Sequence, residues 1–238
     1  ASSWIRGSES ANTAMMDLVG GLTTLFTGWY PGAIGETSAL LILIVGVILA
    51  VRQVIDWRVP VVYLGSIFVL TAAVALFCGI GSYNGLPGFI WYPLVHLFSG
   101  GVVFGAVFML TDPVTSPTSA QGRVLFSLGA AIITVLIRLK ANLPEGCLYS
   151  ILIMNMMTPL IESAMDGKQL VVRARARKAF AGLAALGLAV ILLAASVVTP
   201  VLEDPSSSAS THASSEATTT STGDAGSGSG TQSGGEGA

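Results

Sequence analysis

The chain has 238 residues, of which 52% are hydrophobic and 10% charged, with a mean hydropathy of +0.75, whereas an ordinary soluble domain carries roughly 25% charged residues. That composition excludes a soluble enzyme or a nucleic-acid-binding domain and describes an integral membrane protein. The net charge of −2 conceals a split, because Glu203, Asp204, Glu216, Asp224 and Glu236 lie in a tail without Lys or Arg, leaving eight acids and eleven bases in residues 1–202, where the bases act as topology signals.

Residues 1–38 read as an extracytoplasmic, interfacial segment, amphipathic and rich in glycine. Met15 to Phe26 suits a short interfacial or re-entrant helix, too short to cross about 30 Å of hydrocarbon. Trp29-Tyr30 looks like an interfacial anchor and Pro31-Gly32 like a turn, and Thr37 or Ser38 can cap the helix that follows. The first span is Ala39 to Val51, closed by Arg52, Asp56 and Arg58; its partner runs from about Val59 to Gly79. So short a loop makes the pair antiparallel, and its arginines put it in the cytoplasm.

Gly79 to Pro93 is turn-rich and aromatic, as an outer interface would be. The third span reads as a helix from Leu97 to Leu110 that runs without a turn signal into Thr111-Asp112-Pro113 and a Ser/Thr/Pro loop ending at Arg123. A fourth span, Val124 to Ile137, leaves Arg138 and Lys140 on the outer face, against the charge bias. The fifth follows Pro144-Glu145-Gly146 and runs to about Ala164, carrying Asn155, Thr158 and Pro159. Residues 39–167 thus form a five-helix membrane domain. Residues 168–178, KQLVVRARARK, are a basic cytoplasmic linker, 179–200 an additional transmembrane helix, and 201–238 a disordered Ser/Thr/Gly-rich extracytoplasmic tail.

No nucleophile elbow, P-loop or GxGxxG motif is present, and neither catalytic residues nor metal ligands are expected. Cys78 and Cys147 read as small core residues and His96 as an interfacial one. Three polar breaks interrupt the apolar pattern: Gly35-Glu36-Thr37-Ser38, Thr111-Asp112-Pro113 with Ser116 and Thr118, and Asn155 with Thr158-Pro159. On one reading Glu36 and Asp112 are solvated carboxylates and Asn155 joins two helices by a hydrogen bond. On the other the breaks converge on a path for a cation or a site for a cofactor, as discontinuous helices do in transporters. Gly101 and Gly105, behind Ser99 and Gly100, allow close approach of a neighbouring backbone or of a flat ligand.

The order of GAIGETSALLILIVG, HLFSGGVVFGAVFMLTDPVTSPTSAQGR and PEGCLYSILIMNMMTPLIE resembles the C-terminal half of the RnfD/NqrB family, membrane subunits of ion-translocating electron transport complexes. The resemblance covers roughly residues 1–167, and TDPVTSPTS with its downstream Gly-Arg is its most specific part. It implies an all-α, multi-span bundle with broken helices, the second half of an inverted-repeat fold, here with one extra C-terminal helix. It further implies a flavoprotein subunit in a bacterial or archaeal cytoplasmic membrane, coupling electron flow between ferredoxin and NAD to movement of Na+ or H+, alongside other membrane and peripheral subunits. The family's covalent FMN, on the threonine of an S-x-A-T pattern, would lie upstream of Ala1; Ser215-Glu216-Ala217-Thr218 in the tail fits the pattern by composition alone. A second, non-covalent flavin such as riboflavin would draw on Gly100, Gly101, Gly105, Thr111, Ser116 and Thr118, and an ion path on Glu36, Thr37, Asp112 and Asn155. A non-redox channel or facilitator on the same bundle, and a scaffold subunit, are the alternatives.

Overall fold

The computed structural model describes residues 9–18, 20–29, 38–140, 146–165 and 169–197. Glu36, Thr37, Pro144-Glu145 and the tail from residue 198 lie outside them. The helices are α1 (Glu9–Leu18), α2 (Gly21–Thr27), α3 (Ala39–Val51), α4 (Arg58–Cys78), α5 (Gly88–Phe98), α6 (Val102–Phe104) continued by a π turn (Gly105–Met109), α7 (Ala120–Lys140), α8 (Gly146–Ala164) and α9 (Gln169–Val197). Among the described residues, α4, α7, α8 and the Arg175–Val197 part of α9 are long and apolar enough to cross a membrane, and α5 with its continuation, bent by 72°, has the length and composition of a broken span or a re-entrant loop. This is an all-α, multi-span membrane protein.

α3 begins where the capping pattern places it, with Ser38 Oγ accepting the Leu41 N–H at 3.3 Å. Its 13 residues rise only about 20 Å, less than the hydrocarbon core needs. It therefore packs as a half-length element, Ala39 and Ile42 meeting Val103 and Val107 of the bent span.

That bent span departs from the continuous helix expected over Leu97–Leu110. α5 stops at Ser99, whose N–H bonds to Val95 O at 2.9 Å, and Gly100 takes a left-handed φ of 67°, the residue type and conformation that end a helix. The chain then turns and resumes as α6. Inside a bilayer such a bend is tolerated only where the freed backbone is buried in protein, and here the cover comes from α7. Arg138, 3% exposed, donates from Nη1 to His96 O at 2.5 Å and from Nη2 to Ser99 O at 2.8 Å. Arg138 is thus inside the protein and not on an outer face, as a cation on the last carbonyls of a helix.

α4 and α7 form the centre of the bundle, with α5, α8 and α9 packed around them. Tyr63, Ile67, Trp91, Phe126, Leu139 and Ile191 are fully enclosed. A polar seam joins three helices there: Tyr63 Oη lies 2.8 Å from Thr134 Oγ1 and 3.2 Å from Cys147 Sγ, and Thr134 Oγ1 lies 2.7 Å from Ser150 Oγ. Cys78 and Cys147 are buried, as expected of core residues. In the aromatic segment Trp91 Nε1 donates to Gly81 O at 2.8 Å, and Tyr83, Trp91, Tyr92 and His96 follow one another in ring contact inside the protein. His96 is likewise buried.

The stretch 168–178, read as a linker before a separate helix, is helical from Gln169 onward and continuous with the span. Its residues explain this: Arg, Ala and Lys are strong helix formers, and no glycine or proline interrupts them. Arg175 caps the end of α8 by donating to Ala164 O at 3.2 Å.

Candidate functional site

The loop after the π turn is built from its own side chains. Thr111 Oγ1 donates to Val107 O at 2.5 Å. Asp112 accepts the Val114 N–H through Oδ1 and the Thr115 hydroxyl through Oδ2, both at 3.2 Å, and its carbonyl accepts the Ser116 N–H at 3.1 Å. This is the local turn that an aspartate beside a proline favours. Ser119 Oγ then accepts the Gly122 N–H at 3.0 Å and caps α7.

Two neighbours clamp this loop. From α8, Glu162 Oε1 accepts both the N–H and the hydroxyl of Thr118 at 3.0 Å, and Thr158 donates to Thr115 O at 2.9 Å. From the other side, Arg123 pairs with Asp56 at 3.0 Å while its Nε donates to Pro117 O at 2.9 Å. Between the α3–α4 connection and the loop lies a cavity of about 350 Å³ walled by Gln53, Asp56, Trp57, Thr111, Ser116 and Arg123. A separate hollow of about 340 Å³ is lined by Thr118, Ser119, Glu162 and Ser163.

Of the residues expected to hold a cofactor, Thr111 and Ser116 share the first cavity, Thr118 lines the second, and Gly100 and Gly101 lie at the bend. Gly105 is placed differently: a Cβ there would collide with Cys147 Sγ, so its bare backbone admits α8. Of the ion-path residues, Asp112 turns its carboxylate onto its own loop. Asn155 lies on α8 one turn before Thr158, with its Oδ1 buried and without a hydrogen-bond partner among the described residues. Pro159, inside the helix, has no N–H to give the Asn155 carbonyl, so two oxygens of one residue gather at this break. Glu36 and Thr37 lie outside the described residues.

Sequence reasoning missed Glu162, Gln53 and Trp57, and treated Asp56 and Arg123 as loop charges. An acid near the end of an apolar span was a usable signal for Glu162; the Asp56–Arg123 pair joins residues 67 apart and had none. Among the described residues no His, Cys, Asp or Glu cluster suits a metal ion. The first cavity is lined by Trp57 and by the polar side chains of Gln53, Thr111 and Ser116. Its volume is at the low end of ligand sites, roughly 300–1,000 Å³.

A family model described as the NQR2, RnfD, RnfE family matches residues 3–170. The chain belongs to this family. The RnfD-like region takes in α1 to α8, the bend and both clamps, and ends at the first residues of α9. Relatives include the D subunit of the proton-translocating ferredoxin:NAD(+) oxidoreductase complex of Clostridium ljungdahlii, 44% identical over 58% of this chain and 39% of the relative. The D subunit of the Na(+)-translocating ferredoxin:NAD(+) oxidoreductase complex of Acetobacterium woodii is 42% identical over 66% of this chain and 43% of its own length. The B subunit of the Na(+)-translocating NADH-quinone reductase of Chromohalobacter salexigens is 40% identical over 58% and 33%. The chain therefore spans well under half the length of these RnfD and NqrB relatives.

Proposed function

We propose that this chain is part of the D subunit of an ion-translocating electron transport complex, one that couples flavin-mediated electron transfer between ferredoxin and NAD to movement of Na+ or H+. The support is family membership over residues 3–170 and the complexes to which the relatives belong. The observation that carries the reading is the clamped loop: the bent segment ends in a polar loop held by Arg123–Asp56 beside one cavity and by Thr118–Glu162 beside a separate hollow. The basic residues Arg52, Arg58, Arg175 and Arg177 favour a cytoplasmic side for this end of the bundle, in a bacterial or archaeal cytoplasmic membrane, with the C-terminal tail outside.

Gln53, Trp57, Thr111 and Ser116 are the residues that would hold a non-covalent flavin such as riboflavin. When bound, it supplies one- and two-electron redox chemistry. The protein's own part is to orient the ring, exclude water with the α3–α4 connection and keep the Arg123 cation near the cavity, neutralised in part by Asp56. Covalent FMN would be attached on a segment preceding Ala1. For the ion, Asn155 offers side-chain and backbone oxygens at a helix break and Asp112 a carboxylate beside the cavity.

The test is Asp112→Asn in the purified, assembled complex. Asparagine keeps an acceptor for the Val114 N–H but removes the charge. The expected result is normal assembly with most ion-coupled electron transfer lost; unchanged coupled rates would remove Asp112 from the ion path. The visible flavin spectrum of the same preparation tests the redox reading, since colourless protein that conducts solute in liposomes would point to a facilitator.

A further inference from the structure

A larger crevice, about 820 Å³, lies away from the clamped loop, where α9 meets α4 and α7. Its walls include Arg58, Gln121, Val124, Leu125, Arg177 and Phe180. Their order along the helices is that of an amphiphile. Arg58 opens α4, Gln121 lies in the first turn of α7, and Arg177 lies near the start of the membrane-crossing part of α9 at Arg175. Val124, Leu125 and Phe180 each come about one turn deeper.

α4 and α7 both start at this level, so their N-terminal dipoles add positive potential to two guanidinium groups. Neither the Arg58 nor the Arg177 guanidinium has an ion pair or hydrogen bond among the described residues, and the nearest acid in sequence, Asp56, is paired with Arg123. Seven residues beyond Phe180, α9 presses its bare Gly187 backbone onto α7, where a Cβ would collide with Ile132 Cδ1. The result is a slot with a cationic mouth at headgroup depth and an apolar floor. Its α9 wall lies past residue 170, where the family match ends.

We propose that this slot is a binding site for an anionic phospholipid, with its phosphate between Arg58 and Arg177 and its first acyl carbons against Val124, Leu125 and Phe180. A basic pocket between transmembrane helices is the form such sites take. The apolar floor and the headgroup depth favour a lipid over a free anion.

The experiment uses the full chain in its purified complex, delipidated in detergent. Thermal unfolding is followed after adding phosphatidylglycerol, phosphatidylcholine or inorganic phosphate, and native mass spectrometry counts bound lipid. Phosphatidylglycerol alone is expected to raise the transition by several degrees and to be retained in preference to phosphatidylcholine by about tenfold. Arg58→Gln with Arg177→Gln should lose most of that shift, whereas Arg177→Lys keeps part of it. Equal shifts with phosphatidylcholine, or a full shift in the double variant, would overturn the site; an equal shift with phosphate would make it a free-anion site and overturn the lipid. Should the double variant fail to assemble, the single variant Arg177→Gln carries the test, and an undiminished phosphatidylglycerol shift there would overturn the site.

Discussion

Arg138 shows how one side chain makes a bent span possible. Replacing it with Met leaves the His96 and Ser99 carbonyls without their donor, a cost of about 1–3 kcal/mol for each buried acceptor. Arg138→Met should therefore lower the unfolding midpoint in detergent sharply. Arg138→Lys should recover only part of it, since a single ammonium does not reproduce a planar fork. The sequence did contain a clue: Arg138 sat on the wrong side of the charge bias, and a misplaced arginine can equally be a buried one. Gly105 is the second instance. Gly105→Ala drives a methyl into Cys147 Sγ, costing about 1–3 kcal/mol as overpacking. The double variant with Cys147→Ala should be less unstable than the sum of the singles, which a double-mutant cycle measures.

Among the elements, the loop 111–119 is the one whose order depends on its neighbours. Glu162→Ala removes the acceptor of both Thr118 bonds while leaving the Arg123–Asp56 clamp in place. Amide exchange should then rise in residues 114–119 and stay unchanged in α4, a local loosening without global unfolding. The loop's own chemistry was legible from Thr111-Asp112-Pro113, because a short acid beside a proline caps a turn wherever it occurs. The bend at Ser99–Gly101 was not, although Ser-Gly-Gly is a turn signal; the apolar run around it favoured a single span, and what tips the balance is the tertiary bond from Arg138. Ser38 as a cap was legible because capping is local. α9 reached further back than expected because charge was read as a boundary, whereas helix propensity, which favours Arg, Ala and Lys, decided it.

For the molecule as a whole, hydrophobicity and segment length were enough to find an all-α multi-span protein. They placed α3 at Ala39–Val51, but could not show that the aromatic segment turns its rings into the protein, since that depends on what packs beside it. Orientation is the quantity to measure at this scale. Single cysteines at Trp57 and Arg175 should react with a membrane-impermeant thiol reagent only from the cytoplasmic side, and one at Ser210 only from outside. Labelling of Trp57 and Arg175 from opposite sides would break the proposed arrangement of the bundle. The π turn at Gly105–Met109 has a consequence of its own, because it closes with Leu110 N–H on Gly105 O at 2.8 Å and so holds one residue more than an α-helical turn. It absorbs the roughly 100° by which one extra residue would otherwise rotate everything after it. Deleting any one residue between Ala106 and Met109 would turn this closure into an α-helical one with Leu110 still on Gly105 O, leaving Thr111 and Asp112 in place. The π turn thus accommodates an extra residue without turning the polar end of this span away from its clamp, and a segment shortened by that one residue should keep it.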